Sequence, residues 1–371
     1  MPMFEEPIHV GRPNLGDLDQ FYSLVDGMFD RLWLTNDGPL VQAFEAELAA
    51  YLGVRNVVCV TNGTVGLEIA IRALGMTGEV IVPSFTFVAT AHGLNWQGLT
   101  PVFADIDPVT HSLDPDSVRS LISPRTTGII PVHLWGEVAP VDAFRELADE
   151  FGLKLLYDAA HAFSNSYRSQ RVGNFGDAEV FSFHATKFFN SFEGGAVASN
   201  DDDLADRVRL MRNFGFAGYD NVVHSGTNGK LTEVCAAMGL ANLSRIDSFI
   251  EVNRQNYLAY RTELEDVKNV NLFEYSNTGD RNYQYVVLTV DSHSDTSRDE
   301  LIDLLTAENV LARRYFWPGA HMMEPYRESA AGANLPQTVA IANAVVVLPT
   351  GGSVDEPSIR KICSIIRKAC G

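Results

Sequence analysis

The sequence predicts an α/β fold: a large domain with a mainly parallel, seven-stranded sheet between helices, then a smaller α+β domain at the C-terminal end. Three observations carry that expectation. Between about residues 56 and 200, seven short runs rich in β-branched residues alternate with helical patterns. Several of these runs are apolar at nearly every position, as strands covered on both faces are. After Lys230 the alternation gives way to one long helical stretch and a mixed strand–helix series.

The elements follow in order. Residues 12–51 supply two helices that pack on the large domain. The strand runs are 57–60, 80–82, 101–104, 128–132, 153–157, 180–183 and 196–198. Helices are expected over 64–74 after a Gly-containing turn, over 142–151 from its apolar spacing, and over 202–212 after the capping run Asp201-Asp202-Asp203. Residues 231–264 read as helix with a break near 245–247. The remainder reads as strand 284–290, helix 298–308, strand 313–316, helix 337–345 and a final helix 357–369. The boundary is placed near residue 250, giving units 1–250 and 251–371. The length of 371 residues exceeds what one small domain usually holds and buries a large core without disulfides or metals.

Composition narrows the function. A net charge of -19 repels a nucleic-acid backbone, although one pocket on an acidic protein can still be positive. No run approaches the ~20 apolar residues of a spanning helix, and residues 1–11 show no basic segment leading into an apolar one. Cys59, Cys235, Cys363 and Cys370 are scattered with no CxxC pair. They read as free thiols in a reducing cytoplasm, and no metal site is expected.

Four segments carry chemistry. Lys187, in Phe181-Ser182-Phe183-His184-Ala185-Thr186-Lys187, follows a strand run and has aromatic neighbours. Desolvation there lowers an amine's pKa and frees it to attack an aldehyde. Alone, it would equally suit a surface loop. Asp158 ends the apolar strand Leu153-Lys154-Leu155-Leu156-Tyr157, at the edge where open α/β sheets bind ligands. Pyridoxal phosphate (PLP) needs a carboxylate at that place to keep its ring nitrogen protonated, although a helix cap would look the same. His161, three residues on, suits the cofactor's phenolic oxygen or a buried core position.

Val60-Thr61-Asn62-Gly63-Thr64-Val65-Gly66-Leu67 reads as strand–turn–helix, with small residues that let N–H groups approach a phosphate. It is neither GxGxxG nor a P-loop. Ser182 adds a hydroxyl. Phe87, in Val82-Pro83-Ser84-Phe85-Thr86-Phe87, offers a ring to stack on a pyridine. Singly each segment is weak; together they run in one order, phosphate turn, aromatic, Asp, Ser, Lys.

At these residues the sequence resembles the fold-type-I PLP enzymes (aspartate aminotransferase-like), in particular the DegT-like family of nucleotide-sugar aminotransferases. The resemblance runs from Trp33-Leu34-Thr35-Asn36-Asp37-Gly38-Pro39 to Leu348-Pro349-Thr350-Gly351. Its most specific segments are 158–161, 182–187 with 192–195, and Gly226-Thr227-Asn228-Gly229-Lys230-Leu231. The resemblance implies Lys187 as the Schiff-base lysine, Asp158 as the pyridinium partner, Gly63, Thr64 and Ser182 at the phosphate, Phe87 on the ring, and His161 at the phenolic oxygen. It implies a homodimer with two shared sites, Asn228 reaching the neighbouring subunit's phosphate. Many members carry Gln at the place of His161 and Asn-Tyr-Arg at the place of Asn228-Gly229-Lys230.

Both departures are similar to the branch that aminates C-4 of dTDP-4-dehydro-6-deoxy-D-glucose, with glutamate as donor. The presence of Lys187 argues against the family's dehydratases, which carry His at that place. Candidate sugar contacts are Lys230, Tyr315, Phe316, His321 and Arg212. A C-3 nucleotide-sugar aminotransferase, or a non-catalytic PLP-binding regulator, remains open at this level.

Overall fold

The structure, a computed structural model, describes residues 2–371. Helices α1 (Leu18–Arg31) and α2 (Pro39–Leu52) precede the large sheet. The Asp17 side chain caps α1 through Gln20 N–H. For α2 the cap comes from afar: the buried Glu233 carboxylate accepts from Leu40 and Val41 N–H, each at 2.9 Å. Gly38 leaves room for that carboxylate, since a Cβ there would meet Glu233 Cδ at 2.5 Å.

The next elements are β1 (Asn56–Val60), α3 (Gly63–Ala73), β2 (Glu79–Pro83), α4 (Ala89–Asn95), β3 (Thr100–Ala104), α5 (Pro115–Leu121), β4 (Thr126–Ile129), α6 (Val141–Phe151), β5 (Lys154–Asp158), β6 (Ala178–Ser182), β7 (Gly195–Ser199) and α7 (Asp202–Met211). The seven strands form one sheet, ordered β1-β7-β6-β5-β4-β2-β3. Only β7 is antiparallel to its neighbours, β1 and β6; the other pairings are parallel. Val57 and Cys59 belong to the core on one face of the sheet with Leu155 and Phe181. Val58 and Val60 belong to the core on the other, with Leu156 and Val180. Two buried faces explain why these strands read as continuous apolar runs.

The chain continues through α8 (Glu233–Leu243), α9 (Ile246–Leu264), β8 (Val270–Leu272), β9 (Val286–Val290), α10 (Arg298–Ala307), α11 (Glu324–Arg327), α12 (Pro336–Ala344), β10 (Val345–Leu348) and α13 (Glu356–Cys370). Strands β8-β9-β10 form an antiparallel sheet with its own core, which includes Val286, Leu288, Leu301 and Ile362. No helix among the described residues is long and apolar enough to cross a membrane.

The expected strand over 313–316 is corrected. Only Arg313 makes a bridge, to Val347; the local strand is Val310–Leu311, paired with Ile8–His9. Tyr315 and Phe316 have strand-like propensity, but aromatic packing beside the large sheet claims Phe316 instead. Helices α4 and α5 lay outside the expectation, because seven residues are too few to show a period.

Candidate active site

The site is built at the carboxyl ends of β1, β5 and β6. At the end of β1, Asn62 caps α3 by accepting from Val65 N–H at 2.9 Å. The N–H groups of Gly63 and Thr64 lie in the first helical turn, where no intrahelical acceptor exists. Ser182, the last residue of β6, stands against this turn: a Cβ on Gly63 would meet Ser182 Cβ at 2.9 Å. Gly195, on the other side, would put a Cβ 2.7 Å from Gly63 N. Unpaired donors, a helix dipole and a hydroxyl in one cradle make an anion site.

Asp158 ends β5 and is buried. Its Oδ2 accepts from the Thr90 hydroxyl at 2.8 Å and its Oδ1 from Ala160 N–H at 3.1 Å. Burial pushes its carboxyl up from the usual range; the two donors and the nearby Lys187 charge oppose that shift.

Lys187 lies on the loop joining β6 to β7. The loop is closed by Phe183 N–H to Gly194 O at 2.8 Å and by Ser191 N–H to Phe183 O at 2.9 Å. Buried Phe188 and Phe189 anchor it, and Asn242 donates to Asn190 O at 2.7 Å. Burial of the amine lowers the Lys187 pKa to about 8, against the opposing attraction of Asp158 and Tyr315. At neutral pH a usable fraction of the amine is therefore free base, which nucleophilic attack on an aldehyde requires.

An aromatic wall completes the site. The rings of Trp135, His161 and Phe316 are nearly parallel, with interplanar angles of 11–13°. Trp135 Nε1 donates to His111 Nδ1 at 3.2 Å, and burial lowers the His111 pKa to about 4, which keeps that acceptor neutral. Asn282 holds the main chain at His161 by donating to His161 O at 2.9 Å and Phe163 O at 3.0 Å. Burial and the Lys187 charge push the His161 pKa well down, so its imidazole is neutral. Its Nδ1 is buried with no partner.

Phe87 is 58% exposed although it leads into a buried helix, and its ring faces Phe316 at 6.4 Å. An unpaired buried nitrogen, an uncovered ring, an anion cradle, a buried carboxylate and a depressed lysine together fit PLP. Trp135, Thr90 and Asn282 were missed at the level of sequence; no local motif marks them.

The sugar-contact candidates divide. Phe316 is part of the wall, and Tyr315 stacks on it at 5.2 Å and interacts with Lys187. His321 Nδ1 is 2.6 Å from Ser84 Oγ, next to Phe85 of the same cluster. Lys230 lies over the Phe214 ring and donates to Asn228 Oδ1 at 2.6 Å. Both belong to a segment that bridges to Val60 and accepts from Thr61 N–H, beside the phosphate turn. Arg212 is a correction. It is buried, and its guanidinium is spent on Glu45, on Cys59 O at 2.7 Å and on Asp37 at 2.8 Å. It pins α7 to α2 and β1 and keeps no free fork for a sugar.

Residues 18–367 match the DegT/DnrJ/EryC1/StrS aminotransferase family. The chain is similar to the dTDP-4-amino-4,6-dideoxy-D-glucose transaminase of Shigella dysenteriae, 37% identical over 98% of this chain and 99% of the relative. It is 34% identical to the dTDP-4-amino-4,6-dideoxy-D-glucose transaminase of Escherichia coli, with the same shares covered. Among solved structures, DesI in the presence of its TDP-sugar product is 46% identical and superposes with a TM-score of 0.95 over 99% of this chain and 94% of that one.

Proposed function

The chain belongs to the DegT/DnrJ/EryC1/StrS aminotransferase family, and from that premise we propose that it aminates C-4 of dTDP-4-dehydro-6-deoxy-D-glucose. L-glutamate is the donor; dTDP-4-amino-4,6-dideoxy-D-glucose and 2-oxoglutarate are the products. The observation that carries the choice of acceptor is the full-length likeness to the two transaminases of that amino sugar, joined by the likeness to DesI. The enzyme works in the cytoplasm as a homodimer that shares its sites. Residues 1–250 carry the cofactor, and residues 251–371 form a second unit that lends Tyr315, Phe316 and His321.

PLP, the cofactor, supplies when bound an aldehyde that takes up the donor's amino group and a protonated ring that withdraws electron density. The residues of this chain do the rest. Gly63, Thr64 and Ser182 hold the phosphate, with Asn228 serving the neighbouring subunit. Asp158 holds the proton on the ring nitrogen, because an ionised carboxylate buried beside it offsets its charge. His161 hydrogen-bonds the phenolic oxygen, and Phe87 covers the ring face. Lys187 Nζ, free base in part at neutral pH, would take the proton from the donor's α-carbon as a base and, as an acid, give it to the carbon that was the cofactor's aldehyde. The same groups serve the sugar in reverse, so the two substrates take turns.

The test is the visible absorption of the PLP-loaded protein. Glutamate should bleach it, and dTDP-4-dehydro-6-deoxy-D-glucose should restore it without further donor. Bleaching with recovery only by a 3-keto sugar would move the acceptor to C-3. A protein that binds PLP but never bleaches would be a binding protein and not a transaminase.

A further inference from the structure

Thr90 lies in the first turn of α4 and is fully buried. Its hydroxyl donates to Asp158 Oδ2 at 2.8 Å. Phe87 O lies farther from that hydroxyl, at 3.3 Å, and already accepts from Thr90 N–H at 3.2 Å. The buried Thr86 hydroxyl is 3.4 Å from Thr90 Oγ1, so it can donate into Thr90 while Thr90 donates onward.

Asp158 therefore has one fixed donor on each oxygen, Thr90 on Oδ2 and Ala160 N–H on Oδ1. Each carboxylate oxygen offers about two acceptor directions, so about one on each stays open and a ring N–H can be received. Without these donors, a carboxyl in so buried a place favours its neutral form, which cannot offset a protonated ring. The same short turn carries Phe87, whose carbonyl Thr90 N–H fixes.

We propose that Thr90 is a positioning residue that keeps Asp158 ionised and sets it in register with the ring that Phe87 covers. This rests on the PLP reading of the site. Thr90 ties two cofactor contacts together: the carboxylate at the ring's edge and the aromatic on its face.

The comparison is between Thr90→Val, nearly isosteric but without the donor, and Thr90→Ser, which keeps it. Each is loaded with PLP and titrated with pH while its visible absorption is followed. A ring nitrogen that loses hold of its proton leaves less positive charge to oppose protonation of the Lys187 nitrogen. The titration of Thr90→Val should therefore move to higher pH, and its PLP affinity should fall roughly 10- to 100-fold, the usual worth of a hydrogen bond to a charged group. Thr90→Ser should behave as wild type. In an Asp158→Asn background, Thr90→Val should add little. If the Val variant does not fold, Thr90→Ala carries the same comparison.

Wild-type titration and PLP affinity in a folded Thr90→Val protein would overturn the proposal and leave Thr90 a packing residue. So would a full effect of Thr90→Val in the Asp158→Asn background. A wild-type protein with no visible PLP band at all would instead overturn the reading beneath it.

Discussion

At the scale of the residue, the Lys187 pKa of about 8 becomes a pH profile. An amine attacks an aldehyde only as free base, and burial lowers the pH at which Lys187 becomes one. In the PLP-stripped protein, the rate of PLP capture should rise with pH through about 8, as read by growth of visible absorption. Asp158 opposes the shift, because its negative charge stabilises the ammonium form. Asp158→Asn should therefore move the capture profile to lower pH even while transamination weakens. Lys187→Ala should develop no such band and lose at least the ~10²–10⁴-fold that acid–base catalysis supplies. A capture midpoint at the ordinary lysine value of 10.5 in both proteins would mean that the amine is not desolvated. Asp158 and Ser182 were legible because each ends a readable strand, and Gly63 and Lys187 because each lies in the turn or loop that follows one. Thr90 and Asn282 were not, since what they do is decided by partners 68 and 121 residues away. Arg212 misled for the same reason: its fate is set by Glu45, 167 residues distant.

At the scale of the element, the start of α3 is where local chemistry and sheet geometry meet. The Asn62 cap was not read as one, because the segment's small residues point first to a turn. What the structure adds is how tightly β7 closes on it. A Cβ on Gly195 would lie 2.7 Å from Gly63 N, Asn62 C and Phe181 O, all backbone atoms that cannot swing aside. Gly195→Ala should push the helix start away from Ser182 and open the anion cradle. The expected result is a folded protein whose thermal stabilisation by PLP shrinks, while its stability without PLP falls by roughly 1–3 kcal/mol from overpacking. Calorimetry with and without PLP measures both. An unchanged PLP-induced rise in Tm would show that the phosphate does not depend on this turn. The sheet itself was readable because its strands are apolar on both faces, as the split of 57/59 from 58/60 between two cores makes plain. Segment 313–316 was not, because two aromatic residues look alike in a strand and in a wall, and only tertiary packing distinguishes them.

At the scale of the whole molecule, large apolar side chains stand exposed on two segments of the chain. Tyr22, Phe29, Leu32 and Trp33 are exposed on and after α1, as are Phe214, Phe216, Tyr219, Val222 and Val223 on the loop after α7. Exposed apolar side chains in this number suit a partner. Asn228 and Lys230 emerge next to that loop, with Lys230 over Phe214. A two-fold partner would then receive Asn228 at its own phosphate, and the arrangement can be read by complementation. Lys187→Ala removes one half of a site; Asn228→Asp removes the other by setting a negative charge against a phosphate. If Asn228 acts across the interface, a mixed dimer has one site with both lesions and one with neither. Unfolding and refolding the two variants at equal amounts should make about half the dimers mixed, each with one live site, and so recover about a quarter of wild-type turnover. If Asn228 serves its own chain, every site in the mixture carries a lesion and nothing is recovered. The recovered fraction therefore separates a shared site from two independent ones without any need to see the interface.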